Sequence, residues 1–210
     1  MQLVIVANDQ QKEEILSNGT DGSCQIDWVR TPAELSAFTN CDAVIDLLFE
    51  DGGYDVSYLN DSLSKMIFVN AVNRTIDEIA HSVIRINGWS GFLKRSIAEV
   101  AGADGTDRQA AQNFLSCLNK KAEWVPDIKG FVSPRVISMI INEAYFALEE
   151  KVSTKEEIDT AMKLGTNYPY GPFEWAKNIG LKKITALLSE LSLTEKRYIP
   201  SKLLLKEAGA

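Results

Sequence analysis

The chain has 210 residues, 45% hydrophobic and 24% charged, with 22 basic against 29 acidic side chains and a formal net charge of −7. That length supports one large domain or two small ones. The acidic balance argues against a nucleic-acid partner, and the apolar runs are too short to span a membrane. Cys24, Cys41 and Cys117 are scattered, without zinc spacing, and read as free thiols of a reducing cytoplasm. The single histidine, His81, rules out a His-rich metal site, so no metal is expected. The opening segment lacks the basic and apolar regions of a signal peptide.

In chain order, Leu3 to Ala7 is a β-branched run that fits a central strand. Gln10 to Leu16 favours a polar helix and stops at the turn signal Asn18-Gly19. Cys24 to Val29 alternates as a strand, and Pro32 opens a helical stretch with Thr31 as N-cap. Ala43 to Phe49 reads as a buried strand, Ser57 to Lys65 as an amphipathic helix and Met66 to Val72 as a third buried strand. A short helix over Arg74 to His81, a strand over Val83 to Ile86 and a helix over Thr106 to Asn119 follow. Strand and helix alternate in this way up to about residue 129, the pattern of a truncated Rossmann-like, mainly parallel α/β sheet. From Gly130 the period becomes helical: Val136 to Glu149, Thr154 to Leu164 with a Thr154/Glu157 capping box, and Leu181 to Leu191. Two domains are expected, residues 1–129 and an all-α part over 130–210. Lys120-Lys121 and Lys182-Lys183 read as solvated charges.

The second part carries a series of words: Gly130-Phe131, Arg135, Asn142-Glu143-Ala144, Asp159, Ala161-Met162, Gly165, Gly171-Pro172-Phe173 and Glu174. In that order over some fifty residues they resemble the C-terminal domain of the 3-hydroxyacyl-CoA dehydrogenases. The resemblance extends more loosely back to about residue 30, through Arg30 to Glu50, Phe68 to Thr75 and Ile84 to Val100. The words also fit purely structural roles: Gly171-Pro172-Phe173 opens a helix with Phe173 plugging the core, and Arg135 pairs with a carboxylate such as Glu143. Tyr168, Tyr170, Phe173 and Trp175 read as core or interface packing.

The resemblance implies an NAD-dependent oxidation of a 3-hydroxyacyl-CoA in fatty-acid metabolism. Such an enzyme needs a Gly-rich turn for the pyrophosphate, a His base oriented by a Glu, and polar groups on the substrate oxygen. Here Ala7-Asn8-Asp9-Gln10-Gln11-Lys12 stands where GxGxxG belongs, and Asp9 would face the phosphates. The second strand, whose acidic end holds the adenosine ribose, appears missing before Arg30. Glu99 keeps its family identity, but the His position twelve residues upstream is Asn87, which has no proton affinity near neutral pH. The other polar positions fall at Asn73, Ser90 and Pro134. Three losses in one site imply a catalytically degenerate member that keeps an acyl-CoA-like ligand or a dimerisation role, with a homodimer expected through the helical domain. The alternative is a working NAD-dependent 3-hydroxyacyl-CoA dehydrogenase with a non-standard site that uses Glu99 and His81.

Overall fold

The computed structural model describes residues 1–58, 64–80 and 82–209. The chain divides into two compact units, Met1–Phe131 and Val132–Ala210.

The first unit is a seven-stranded sheet of β1 (Gln2–Val6), β2 (Gln25–Val29), β3 (Cys41–Asp46), β4 (Ser64–Asn70), β5 (Val83–Ile86), β6 (Ile97–Ala101) and β7 (Lys121–Trp124). Its order is β2-β1-β3-β4-β5-β6-β7, and every pairing is parallel except that of β5 with β6. Among the described residues, α1 (Asp9–Leu16) and α2 (Arg108–Ser116) belong to it. A sheet covered on both faces needs strands that are apolar on both sides. In β1, Leu3 and Ile5 join a core with Ile15 of α1 and Phe114 and Leu115 of α2. Val4 and Val6 face the other way, onto Leu35 and Val44. Burial on both faces therefore explains the unbroken apolar runs.

Several element boundaries and the state of two cysteines differ from what the sequence suggests. The strand foreseen before Arg30 is present: β2 lies parallel to β1, after the eight-residue α1 and a turn through residues 17–24. It ends against Arg30 rather than an acidic residue. The stretch after Thr31 is a 3-10 turn, Pro32–Ala37, in which Glu34 accepts the Thr31 N–H. The helix expected over Ser57 to Lys65 falls partly on residues outside the described ones, and its last two residues, Ser64 and Lys65, belong to β4. Of the helix expected over Arg74 to His81, a 3-10 turn Ile76–Glu78 is present, and His81 lies outside the described residues. β6 and β7 were not foreseen. Cys24 and Cys117 are joined by a disulfide with Cα atoms 5.8 Å apart, so the free-thiol reading holds for the buried Cys41 alone. Sequence spacing hid the pairing, since the partners lie 93 residues apart, beside β2 and at the end of α2.

The second unit is helical: α3 (Ser133–Glu149), α4 (Lys155–Thr166), α5 (Pro172–Ile179), α6 (Leu181–Ser192) and α7 (Lys202–Ala208). Ile137, Ile141 and Tyr145 of α3, Trp175 and Ile179 of α5, and Leu187 and Leu188 of α6 are buried. α4 has the foreseen capping box, with Thr154 accepting from the Glu157 N–H. Among the described residues no helix is long and apolar enough to cross a membrane, and no cluster of side chains suits a metal ion.

Candidate functional site

The antiparallel step between β5 and β6 builds the centre of the first unit. Its register sets Ile86 against Val100, and so the next residue, Asn87, lies across from Glu99. The Asn87 N–H donates to the Glu99 carbonyl at 3.0 Å, and the Asn87 Nδ2 donates to Glu99 Oε2 at 3.3 Å. The other end of the amide is also used: Asn87 Oδ1 accepts the Trp89 N–H at 3.3 Å. Both residues are buried, at 4% and 8% exposure. The pair that the sequence places twelve residues apart is thus a cross-strand contact between a carboxylate and an amide, and an amide does not take up a proton near neutral pH.

A second carboxylate ties the neighbouring loops to this pair. Glu50 accepts from the Trp89 indole N–H at 2.7 Å, the Asn73 N–H at 3.0 Å and the Tyr54 hydroxyl at 3.0 Å. Asn73 lies on the loop after β4, which Arg85 of β5 anchors from beneath. Arg85 is fully buried, donates to the carbonyls of Ala71 and Val72, pairs with Asp127 and lies over the Phe131 ring. Glu50 is the acidic end of the Arg30 to Glu50 segment of the resemblance, whereas Arg85 did not stand out in sequence: a single charge in an apolar strand signals nothing by period.

Lys120 is also a correction. It was expected in solvent but is 4% exposed, with its ammonium donating to the carbonyls of Leu93 and Arg95 at 2.5 and 2.7 Å. Burial pulls its pKa down to about 8. It borders, with Asn87 and Glu99, a small, partly open pocket of about 10 Å³, room for roughly one water. Ser90 lies in the same β5–β6 connection, half-buried.

The words of the second unit turn out to be structural fittings. Asp159 of α4 accepts the Phe173 and Glu174 N–H groups at 2.8 and 3.2 Å and so caps α5, while Glu174 accepts the Gly171 N–H at 3.0 Å. A Cβ at Gly171 would stand 2.4 Å from the Asp159 carboxylate, which is why glycine precedes Pro172. Asn142 donates to the Ile199 carbonyl and accepts the Ser201 N–H, pinning the chain before α7. Phe173 is half-buried, edge-on to Tyr145, and Tyr170 packs on Trp175. Arg135 lies over the Tyr198 ring. Pro134 is buried in the first turn of α3, at a position where a missing N–H costs nothing.

These fittings coincide with a family. The model of the 3-hydroxyacyl-CoA dehydrogenase C-terminal domain matches residues 130–208. The 3-hydroxyadipyl-CoA dehydrogenase of Escherichia coli is 36% identical over 132 residues, covering 62% of this chain and 28% of that protein. The chain is related to the 3-hydroxyacyl-CoA dehydrogenases, through its C-terminal domain above all. The 3-hydroxybutyryl-CoA dehydrogenase of Bradyrhizobium diazoefficiens is 37% identical over 121 residues, or 56% of this chain and 41% of that protein. The chain thus spans less than half the length of these curated relatives. In fold, the (S)-3-hydroxybutyryl-CoA dehydrogenase of Ralstonia eutropha superposes with a TM-score of 0.72 over 99% of this chain and 93% of that one, at 20% identity.

The family's dinucleotide makes a specific demand on the turn from β1 to α1. A pyrophosphate is held by backbone N–H groups at a helix N-terminus, reached over glycines. Here the Asn8 side chain accepts the Gln11 N–H at 2.8 Å, and the Gln11 side chain accepts the Asn8 N–H at 3.0 Å. The exposed Asp9 carboxylate beside them pairs with Arg30. This turn is capped by its own side chains, its acidic residue is paired with Arg30, and it holds no glycine over which a pyrophosphate could reach the backbone, so it does not fit the cofactor.

Proposed function

We propose that this family member does not carry out the dehydrogenation and serves instead in binding an acyl-CoA-like molecule or in forming a homodimer. One observation carries the reading. The residue opposite Glu99 is Asn87, whose amide has no proton affinity near neutral pH and already spends both ends on Glu99 and Trp89. A hydride cannot leave a hydroxyl-bearing carbon efficiently unless a base takes the hydroxyl proton, a contribution of about 10²–10⁴-fold in rate. The capped turn at Asn8 supports the same reading. For the homodimer, Val136 on α3 and Leu164 on α4 offer exposed apolar surface, at 49% and 83% exposure.

The test is NADH oxidation with acetoacetyl-CoA across about pH 5 to 9, beside an active relative. Background rates are expected. Turnover well above background would establish the alternative, a dehydrogenase with a non-standard base. Light scattering at micromolar concentration tests the dimer, and a monomeric mass would refute it.

A further inference from the structure

Strand order fixes where an open parallel sheet receives a ligand: beyond the carboxyl ends of the strands, where successive connections leave in opposite directions. In this sheet that point lies between β1 and β3, since β2 is on one side of β1 and β3 on the other. The crevice there is stitched together. Leu47, the first residue past β3, donates its N–H to the Val6 carbonyl at 2.9 Å. Its own carbonyl accepts from Gln11 Nε2 at 3.0 Å and from Asn70 Nδ2 at 3.2 Å. Gln11 and Asn70 are buried.

The same helix reaches further across the sheet. Glu14 Oε2 accepts the Gly91 N–H at 2.7 Å, and Asn18, just past α1, donates through Nδ2 to the Leu93 and Arg95 carbonyls at 3.5 and 3.4 Å. Gln11, Glu14 and Asn18 follow one another at helical spacing and so share a face. A helix packed on a sheet ordinarily turns an apolar stripe inward. This one turns inward polar groups whose partners are the Leu47 carbonyl and the connection between β5 and β6.

We propose that α1 is a brace: its inward polar face fills the switch-point crevice, excludes a dinucleotide, and holds the β5–β6 connection that carries Trp89 and Ser90. The inference stands apart from the proposed loss of dehydrogenation, because a protein without turnover can still bind NADH. A dinucleotide entering this crevice would have to displace Gln11 and Asn70 from Leu47 and leave buried polar groups without partners.

Two measurements on the full chain test it. Fluorescence titration with NADH and with NADPH, beside an active relative, is expected to give no saturable change; saturation with Kd below about 1 mM for either overturns the exclusion. Hydrogen exchange tests the brace. Glu14→Ala should speed exchange over residues 88–95 by about tenfold or more while the amides of β3 and β4 keep their protection. Gln11→Ala, which removes the bond to Leu47 but leaves Glu14 in place, should instead speed exchange around Leu47. Unchanged exchange over 88–95 in Glu14→Ala overturns the brace.

Discussion

The Nδ2 atom of Asn87 lies 3.3 Å from Oε2 of Glu99, directly across the antiparallel junction of β5 and β6. The contact pairs a carboxylate with an amide, which has no proton affinity near neutral pH. On the proposed reading, placing an imidazole there is not by itself expected to give the reaction. In Asn87→His, NADH oxidation with acetoacetyl-CoA should stay at background, because the crevice at Leu47 and the capped turn at Asn8 remain. Activity in that variant would mean that the cofactor still enters. Asn87→Ala strips partners from Glu99 and from the Trp89 N–H, and should lower unfolding free energy by about 1–3 kcal/mol in urea.

Gly171 and Asp159 give a second prediction. The Asp159 carboxylate caps α5, and the glycine leaves it room. Asp159→Ala should cost about 1 kcal/mol or more, the usual loss of a helix cap. Gly171→Ala should cost at least as much, because its methyl would meet the Asp159 side chain and backbone rather than a flexible tip. The double variant is expected to lose less than the two singles added, since alanine at 159 removes much of the collision. Strict additivity in thermal or urea unfolding would show that the two residues act separately.

Much of this was legible in sequence, and the residues say why. The runs around Ile5, Ile45 and Phe68 announced strands because they are apolar on both faces. Thr154 and Glu157 announced a helix start because capping is local chemistry. Asn87 could be set against Glu99 because the family resemblance carries their twelve-residue spacing, which the β5–β6 register turns into a contact. What escaped depends on partners remote in sequence. Lys120 looked like any surface lysine until two carbonyls of the β5–β6 connection enclosed it, and Arg85 interrupted a strand without hinting at Asp127. Cys24 and Cys117 meet only once β2 and α2 have formed. The polar helix α1 was read correctly as a helix, but the inward direction of Gln11 and Glu14 was not visible, because polar residues ordinarily face water.

Arg85 supplies a third prediction. It is fully buried and reaches Ala71, Val72, Asp127 and Ile128, so one side chain joins the loop after β4 to the segment after β7. Arg85→Met preserves apolar bulk over Phe131 but leaves those carbonyls and the part-buried Asp127 without their cation. The expected loss is about 3 kcal/mol. The accompanying sign is faster hydrogen exchange over residues 71–76. A variant as stable as the parent would mean that water replaces the guanidinium at no cost.

The fourth prediction concerns acid. Burial works against the charge on Glu78, yet the Thr75 N–H at 2.8 Å and the Lys129 ammonium at 2.9 Å outweigh it and hold the carboxyl down to about 2. A carboxyl whose folded pKa lies below its unfolded value of 4.5 stabilises the fold above that value. The contribution is lost as the pH falls from 4.5 towards 2, where the unfolded chain binds the proton first. Glu78→Gln cannot titrate, so the parent should exceed it in stability at neutral pH, and the gap should close through that acid window. Because the side chain is about a third exposed, at 32%, added salt should also narrow the gap at neutral pH. Urea unfolding of both proteins at a series of pH values measures this. A gap that stays constant down to the lower limit would show that the Thr75 and Lys129 contacts do not favour the charged carboxylate.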